Sequence, residues 1–302
     1  MGDNLSPMTS APYGRMLTAM ATAFGPDGSV DLDGTARIAA HLIDHGHDGV
    51  VVSGTTGESP TTSVAEDGEI LRAVIDAVGG RGTVIAGVGT NSTSHSVELA
   101  DVAARVGADA VLLVTPYYNK PGPAGILGHF TAVAQATELP VMLYDVPGRT
   151  GQAIASQTYE AAIRLETVTS VKHAAGDPLA TVELTQMGYH VYSGDDALIL
   201  GYLAHGGCGL VSVAGHIIGP QLKHVIETFL GGDHVAALDA FRQVLPVISA
   251  IMGVPNYGAT TAKSALQWAG VLDNRRVRGP LAELDDDEHA ALGAALRTAH
   301  LI

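Results

Sequence analysis

The sequence predicts a parallel (β/α)8 barrel followed by a C-terminal helical extension. Three observations predict it. Short apolar runs alternate with longer amphipathic segments, and the alternation is completed eight times. The runs are rich in Val, Ile and Leu without polar alternation, as strands covered on both faces require. Gly or Pro separates many helices from the next strand, at Gly79-Gly80, Gly107, Pro140, Gly188 and Gly206-Gly207. A chain of 302 residues fits one such barrel.

The first strand is read over 17–22 and is followed by a helix over 33–44, where Ile38, Leu42 and Ile43 recur at helical spacing. The following pairs are strand 49–53 with helix 65–78, strand 84–88 with helix 94–106, strand 110–114 with helix 124–136, and strand 141–144 with helix 156–165. Strand 168–172 with helix 180–187, strand 190–193 with helix 197–205, and strand 210–213 complete the barrel. Helical patterns then cover 222–229, 234–252, 260–269 and 286–301, more than one closing helix needs. The chain thus divides into a catalytic barrel over 13–216 and a helical extension over 217–302. No Gly-x-Gly-x-x-Gly follows a strand at the right place, which disfavours a dinucleotide-binding fold.

Composition narrows the function. The formal net charge of −15 repels phosphate backbones, so nucleic acid is not an expected partner. The acidic run 285–288 reads as a solvated turn or helix start. No uninterrupted apolar stretch reaches spanning length, so no membrane is expected, and the polar stretch 1–12 has no apolar core of a secretory signal. The single cysteine, Cys208, forbids an internal disulfide and fits a reducing compartment; we read a cytoplasmic enzyme. In its glycine-rich setting Cys208 reads as a small buried residue. The histidines show no metal-ligand spacing, and His45 and His47, near a helix end, read as solvated or capping. Asp195-Asp196 could in principle hold Mg²⁺, but reads better as a helix start on the positive dipole end.

In a barrel, reactive groups stand at the C-terminal ends of strands, which selects candidates by position. Of four lysines, Lys172 alone ends an apolar run. Burial there would disfavour the ammonium and leave a neutral amine able to attack a carbonyl carbon. The alternative is a rim lysine paired with a carboxylate such as Asp177. After the second strand, Gly54-Thr55-Thr56-Gly57-Glu58-Ser59 offers turning glycines, hydroxyl donors and a following helix N-terminus. Together these suit a carboxylate, though an ordinary capped loop has the same residues. After the fifth strand, Tyr144 can relay a proton and Arg149 can hold a carboxylate bidentately, unless the segment is a structural turn. After the fourth strand come Tyr117 and Tyr118, of which Tyr117 reads as packing.

The motifs 54–59, 116–121, 144–150, 171–172, 193–197 and 206–213, in this order, resemble the dihydrodipicolinate synthase/N-acetylneuraminate lyase family over most of 17–213. Arg149 and the Pro116-Tyr117-Tyr118-Asn119 segment resemble its dihydrodipicolinate-forming branch. The resemblance implies a Schiff base between Lys172 and pyruvate, with L-aspartate 4-semialdehyde as second substrate. It implies a proton relay of Tyr144, Thr55 and Tyr118, with Tyr118 reaching into a neighbouring subunit's site. Thr55 and Thr56 would hold the pyruvate carboxylate, Arg149 the semialdehyde carboxylate, and Gly194 and Val211 would offer carbonyls near the pocket. No cofactor and no metal is implied, and the assembly would be a homotetramer, a dimer of dimers. Two positions depart from the family pattern: His173, where an acidic residue is common, and Ala23, where proline is usual. Pro60, Val64, Asp67 and His95 stand where lysine-inhibited members surround the positions of Asn91 and Tyr117 with histidines and an acidic residue. The resemblance therefore implies weak or absent inhibition by lysine. The alternatives are another pyruvate-dependent aldolase of the same family acting on a sugar-derived or other partner, a non-catalytic barrel that binds a carboxylate, and a metal-dependent barrel hydrolase, for which ligand motifs are lacking.

Overall fold

A computed structural model describes residues 10–302. Most of the N-terminal stretch judged not to be a secretory signal, residues 1–9, lies outside them. Among the described residues, eight parallel strands pair in chain order and close on themselves. They are β1 (Met16–Ala19), β2 (Gly49–Val52), β3 (Thr83–Gly87), β4 (Ala110–Val114), β5 (Val141–Asp145), β6 (Val168–His173), β7 (His190–Ser193) and β8 (Gly209–Ser212). The closing pair is β1 with β8, where Leu17 lies opposite Val211. The (β/α)8 expectation holds. The first strand is shorter than its apolar run because the Ala21 N–H leaves the sheet to donate to His216 Nε2 at 3.0 Å.

The covering helices are α1 (Leu32–Asp44), α2 (Val64–Val78), α3 (Thr93–Val106), α4 (Gly122–Gln135), the one-turn α5 (Pro147–Thr150), α6 (Ser156–Ala162), α7 (Ala180–Gln186), α8 (Ile199–Ala204) and α9 (Gly215–Leu230). Beyond the barrel lie α10 (His234–Met252), α11 (Ala259–Trp268) and α12 (Asp286–Thr298). The helix read over 197–205 is two pieces, a tight turn at Asp196–Leu198 and then α8. The helix read from 222 begins at Gly215 and bends where Ile218 leaves helical geometry (φ −115°) ahead of Pro220, which cannot donate a backbone bond. The 216/217 division falls inside its first turn. The acidic run opens α12 as a capping box, with Asp285 and Glu288 each accepting from the other's backbone N–H. His45 and His47 both bond α1 carbonyls, those of His41 and Leu42, each at 2.7 Å, and the His47 ring is buried rather than solvated.

Closure sorts the strand side chains by parity. Leu17, Val51, Ile85, Leu112, Met142 and Tyr144 share an inner cluster. Val50, Val111, Leu143 and Val171 face outward and join Ile38, Ile70 and Phe130 of the helices. A third cluster joins α9, α10 and α12 through Leu222, Ile226, Ile248 and Leu296, and reaches Met16 and Leu210 of the closing strands. The extension is therefore packed on the barrel. By length and composition alone α10 could cross a membrane, although Asp239 and Arg242 interrupt its apolar run. Ala237, Phe241, Val244, Val247 and Ile248 form one buried face of α10 against the protein, while most of its other residues are exposed. Cys208 is buried and its thiol donates to the Val191 carbonyl at 3.3 Å. Burial pushes that thiol up to about 12, which leaves no thiolate for chemistry.

Phe130 is fully buried between α4 and the strands. Phe130→Ala is expected to lower the unfolding free energy by about 3–5 kcal/mol through lost transfer energy and a cavity. Urea denaturation checks this, and a loss under about 1 kcal/mol would mean that this face does not hold α4.

Candidate active site

The same parity builds the site. In β6, Ser170 and Lys172 alternate with the outward Val171, so the Lys172 side chain projects inside the strand ends. Its backbone pairs in register with Tyr144 of β5 on one side and Tyr192 of β7 on the other. The Lys172 Nζ stands 4.3 Å from the centre of the Tyr144 ring. Gly194, just past β7, makes room: a Cβ there would lie 2.7 Å from the Ala174 Cβ and 3.2 Å from the Lys172 Cε. His173, next to Lys172, turns the other way and meets the Tyr202 hydroxyl of α8 at 2.7 Å. That departure from the family pattern therefore does not face the amine.

Lys172 is 4% exposed. Burial lowers its pKa to about 7, the buried carboxylate of Asp196 opposes that fall, and Arg149 adds to it. Asp196 is fixed by the Ser212 hydroxyl and by the N–H groups of Val213 and Ala214 at 3.0 and 3.2 Å. Asp195 instead caps the turn, accepting from the Ala197 N–H at 2.9 Å. Burial raises the Tyr144 phenol to about 12, offset in part by Arg149 and by a hydrogen bond with the Thr55 side chain. Near neutral pH the pair is thus an amine with a substantial uncharged fraction beside a protonated phenol, fit for carbonyl attack and proton transfer.

A cavity of about 270 Å³ gathers Lys172, Tyr144, Thr55, Thr56, Arg149 and Gly194. Val211 is buried in the inner cluster and does not line it; Val213 does. The loop after β2 is tightly folded, with Ser53 and Glu58 at positive φ (51° and 60°). Thr56 and Glu58 are buried while Thr55 is open to the cavity. Arg149 lies on α5, whose turn is closed by its own N–H donating to the Val146 carbonyl at 2.8 Å. A single helical turn after a strand has no periodicity, so α5 left no signal in the sequence.

Tyr118 stands apart from this cavity. It is 89% exposed and held at φ +73°, and it borders an adjoining cavity of about 600 Å³ that also touches Thr55, Tyr144 and Arg149. The sequence reading missed the wall supplied by the extension: Met252, Tyr257, Gly258, Ala259, Pro280 and Leu281. The Arg149 guanidinium lies 5.0 Å over the Tyr257 ring. A loop aromatic far along the chain carries no local signature, and only the folded structure reveals it.

Fold and site together define a barrel with a buried amine at a strand end, in a cavity that also holds the Thr55-Thr56 loop and Arg149. A model described as the dihydrodipicolinate synthetase family matches residues 12–299. A 4-hydroxy-tetrahydrodipicolinate synthase of Kineococcus radiotolerans is 48% identical, covering 96% of this chain and 94% of that one. The crystal structure of a dihydrodipicolinate synthase from Bacillus anthracis is 39% identical with a TM-score of 0.91, covering 96% of this chain and 99% of that one. A Cyanidioschyzon merolae structure of the same kind, with lysine bound, is 37% identical with a TM-score of 0.92, covering 96% and 99%. The chain belongs to the dihydrodipicolinate synthetase family.

Because deprotonation exposes the amine, Lys172 should become reactive as pH rises through about 7. Competitive acetylation with acetic anhydride, read peptide by peptide, measures this. A midpoint near the ordinary lysine value of about 10 would refute the burial argument.

Proposed function

We propose that the chain condenses pyruvate with L-aspartate 4-semialdehyde to 4-hydroxy-tetrahydrodipicolinate, a step of lysine and diaminopimelate biosynthesis, through a Schiff base on Lys172. The observation that carries this reading is the buried Lys172 amine against Tyr144, between the Thr55-Thr56 loop and Arg149. The neutral amine attacks C2 of pyruvate, and loss of water gives an iminium. The iminium draws electrons from the methyl group, whose proton leaves to give an enamine. The enamine carbon bonds to the aldehyde carbon of the semialdehyde. The semialdehyde amine then attacks C2, closes the ring and displaces Lys172. The iminium is itself the electron sink, so this chemistry asks for no metal and no organic cofactor.

Tyr144 moves the protons of imine formation and cyclisation, relayed by Thr55. The exposure and positive φ of Tyr118 support its insertion beside a second copy's Tyr144, which completes the relay. Two substrates bring two carboxylates. Thr55 and Thr56 hold that of pyruvate, and Arg149, oriented by Tyr257, holds that of the semialdehyde. Gly194 keeps space beside the imine carbon, and it and Val211 offer backbone carbonyls near the pocket. The exposed apolar side chains Leu179 (64%) and Val182 (39%) on and beside α7 support association beyond the Tyr118 contact, as a dimer of dimers. We place the enzyme in the cytoplasm, in keeping with a single buried thiol and no disulfide.

Turnover is tested with both substrates, coupled to dihydrodipicolinate reductase and followed by nicotinamide oxidation. It should persist in EDTA and vanish in Lys172→Ala. Borohydride with labelled pyruvate should mark Lys172. Turnover with a sugar-derived aldehyde and none with the semialdehyde would move the chain to another branch of the family.

Lysine is expected to inhibit weakly or not at all. Asp67, one of the positions at which inhibited members differ, is buried and accepts the Thr62 hydroxyl at 2.8 Å, so its carboxylate is already engaged. Clear inhibition by submillimolar lysine in the same assay would overturn this.

A further inference from the structure

The second buried lysine, Lys263, has no place in the chemistry above. It sits on α11 of the extension, and its ammonium contacts the Glu58 carboxylate with both side chains 1% exposed. The Lys263 ammonium also donates to the Arg276 carbonyl at 2.8 Å and lies 4.1 Å over the Phe24 ring. The second Glu58 oxygen accepts the Arg278 N–H at 2.8 Å. The Arg278 guanidinium stacks 4.4 Å from the same Phe24 ring. It donates to the carbonyls of Thr61 and Gly28, each at 2.8 Å, and forks onto Glu66 at 2.6 and 3.2 Å.

Burying two charges to pair them contributes little net stability compared with apolar packing. A pair so deep and so fully partnered fixes geometry instead. What it fixes is the far end of the Thr55-Thr56 loop. Glu58 adopts a left-handed backbone (φ +60°), a conformation a residue with a Cβ keeps only when its surroundings impose it. The Glu58 N–H donates to the Thr55 carbonyl at 3.1 Å, and the Ser59 N–H to that of Gly54 at 3.3 Å. The near end is held by close packing, since a Cβ on Gly87 would lie 2.3 Å from the Ser53 carbonyl oxygen.

We propose that Lys263 is a positioning residue which, through Glu58 and with Arg278, holds the Thr55-Thr56 loop in the shape that receives the pyruvate carboxylate. It acts on the hold for pyruvate and not on the chemical steps. This rests on the assignment of Thr55 and Thr56 to pyruvate made above.

The test compares wild type with Lys263→Met in steady-state kinetics for each substrate and in borohydride trapping. The expected result is a pyruvate KM raised about tenfold, with kcat and the semialdehyde KM within about threefold of wild type. Trapping at saturating pyruvate should still be complete and still fall on Lys172. A residue that only supports the fold would reduce the active fraction, lowering kcat at unchanged pyruvate KM, and that pattern overturns the proposal. If Lys263→Met does not fold, Arg278→Met frees Thr61 and Glu66 while leaving the backbone bond to Glu58. Its pyruvate KM should rise about threefold with the semialdehyde KM unchanged, and an unchanged pyruvate KM overturns the proposal. Failure of wild type to trap pyruvate on Lys172 would instead refute the function proposed above, and this inference with it.

Discussion

Everything in this molecule depends on the burial of one primary amine. A lysine in water keeps its proton far above neutral pH. At the end of β6, flanked by Tyr144 and Tyr192, the Lys172 ammonium loses its hydration and the pKa falls to about 7. Closure of the sheet is what makes such a location possible, because a closed barrel has an inside and its strand parity decides which side chains enter it. Asp196 limits the fall, and its own carboxylate is tied to the start of α9. The reactivity of the amine is thus coupled to how β7 and β8 end.

The two elements proposed to hold the substrate carboxylates, the Thr55-Thr56 loop and Arg149, differ in how they are held. The Thr55-Thr56 loop is braced from both ends, by close packing at Gly87 and by the buried Glu58 cluster. Arg149 rides on a single exposed turn and is oriented mainly by stacking on Tyr257. On the proposed assignment, a rigid seat for the first substrate and a looser one for the second suit a reaction in which the first is bound covalently while the second must enter, close a ring and leave.

Much of this was legible in the sequence. Eight apolar runs with glycine or proline punctuation announced the barrel, because strands buried on both faces must read as continuous apolar segments. Lys172, Tyr144, Thr55, Thr56 and Arg149 could be chosen because strand ends are where barrel chemistry stands. The structure brings these five to one cavity. Three features were hidden. Tyr257 reaches the cavity from beyond the barrel. Lys263 reads as an ordinary helical lysine until Glu58 is placed against it. Val211, chosen by family likeness, lies one inward step below Val213, which lines the cavity, because where a strand ends is uncertain in sequence by a residue or two.

The Glu58 cluster also bears on how the chain comes off the ribosome. The loop it braces is made early, at 54–59, whereas Lys263, Arg276 and Arg278 are among the last residues to be synthesised. A nascent chain with all eight strands already emerged would have no counter-charge for the Glu58 carboxylate and nothing from the extension to impose its left-handed backbone. On the role proposed for Lys263, the hold on pyruvate waits for residues 263–278, and a product cut short before α11 would have a barrel without that brace.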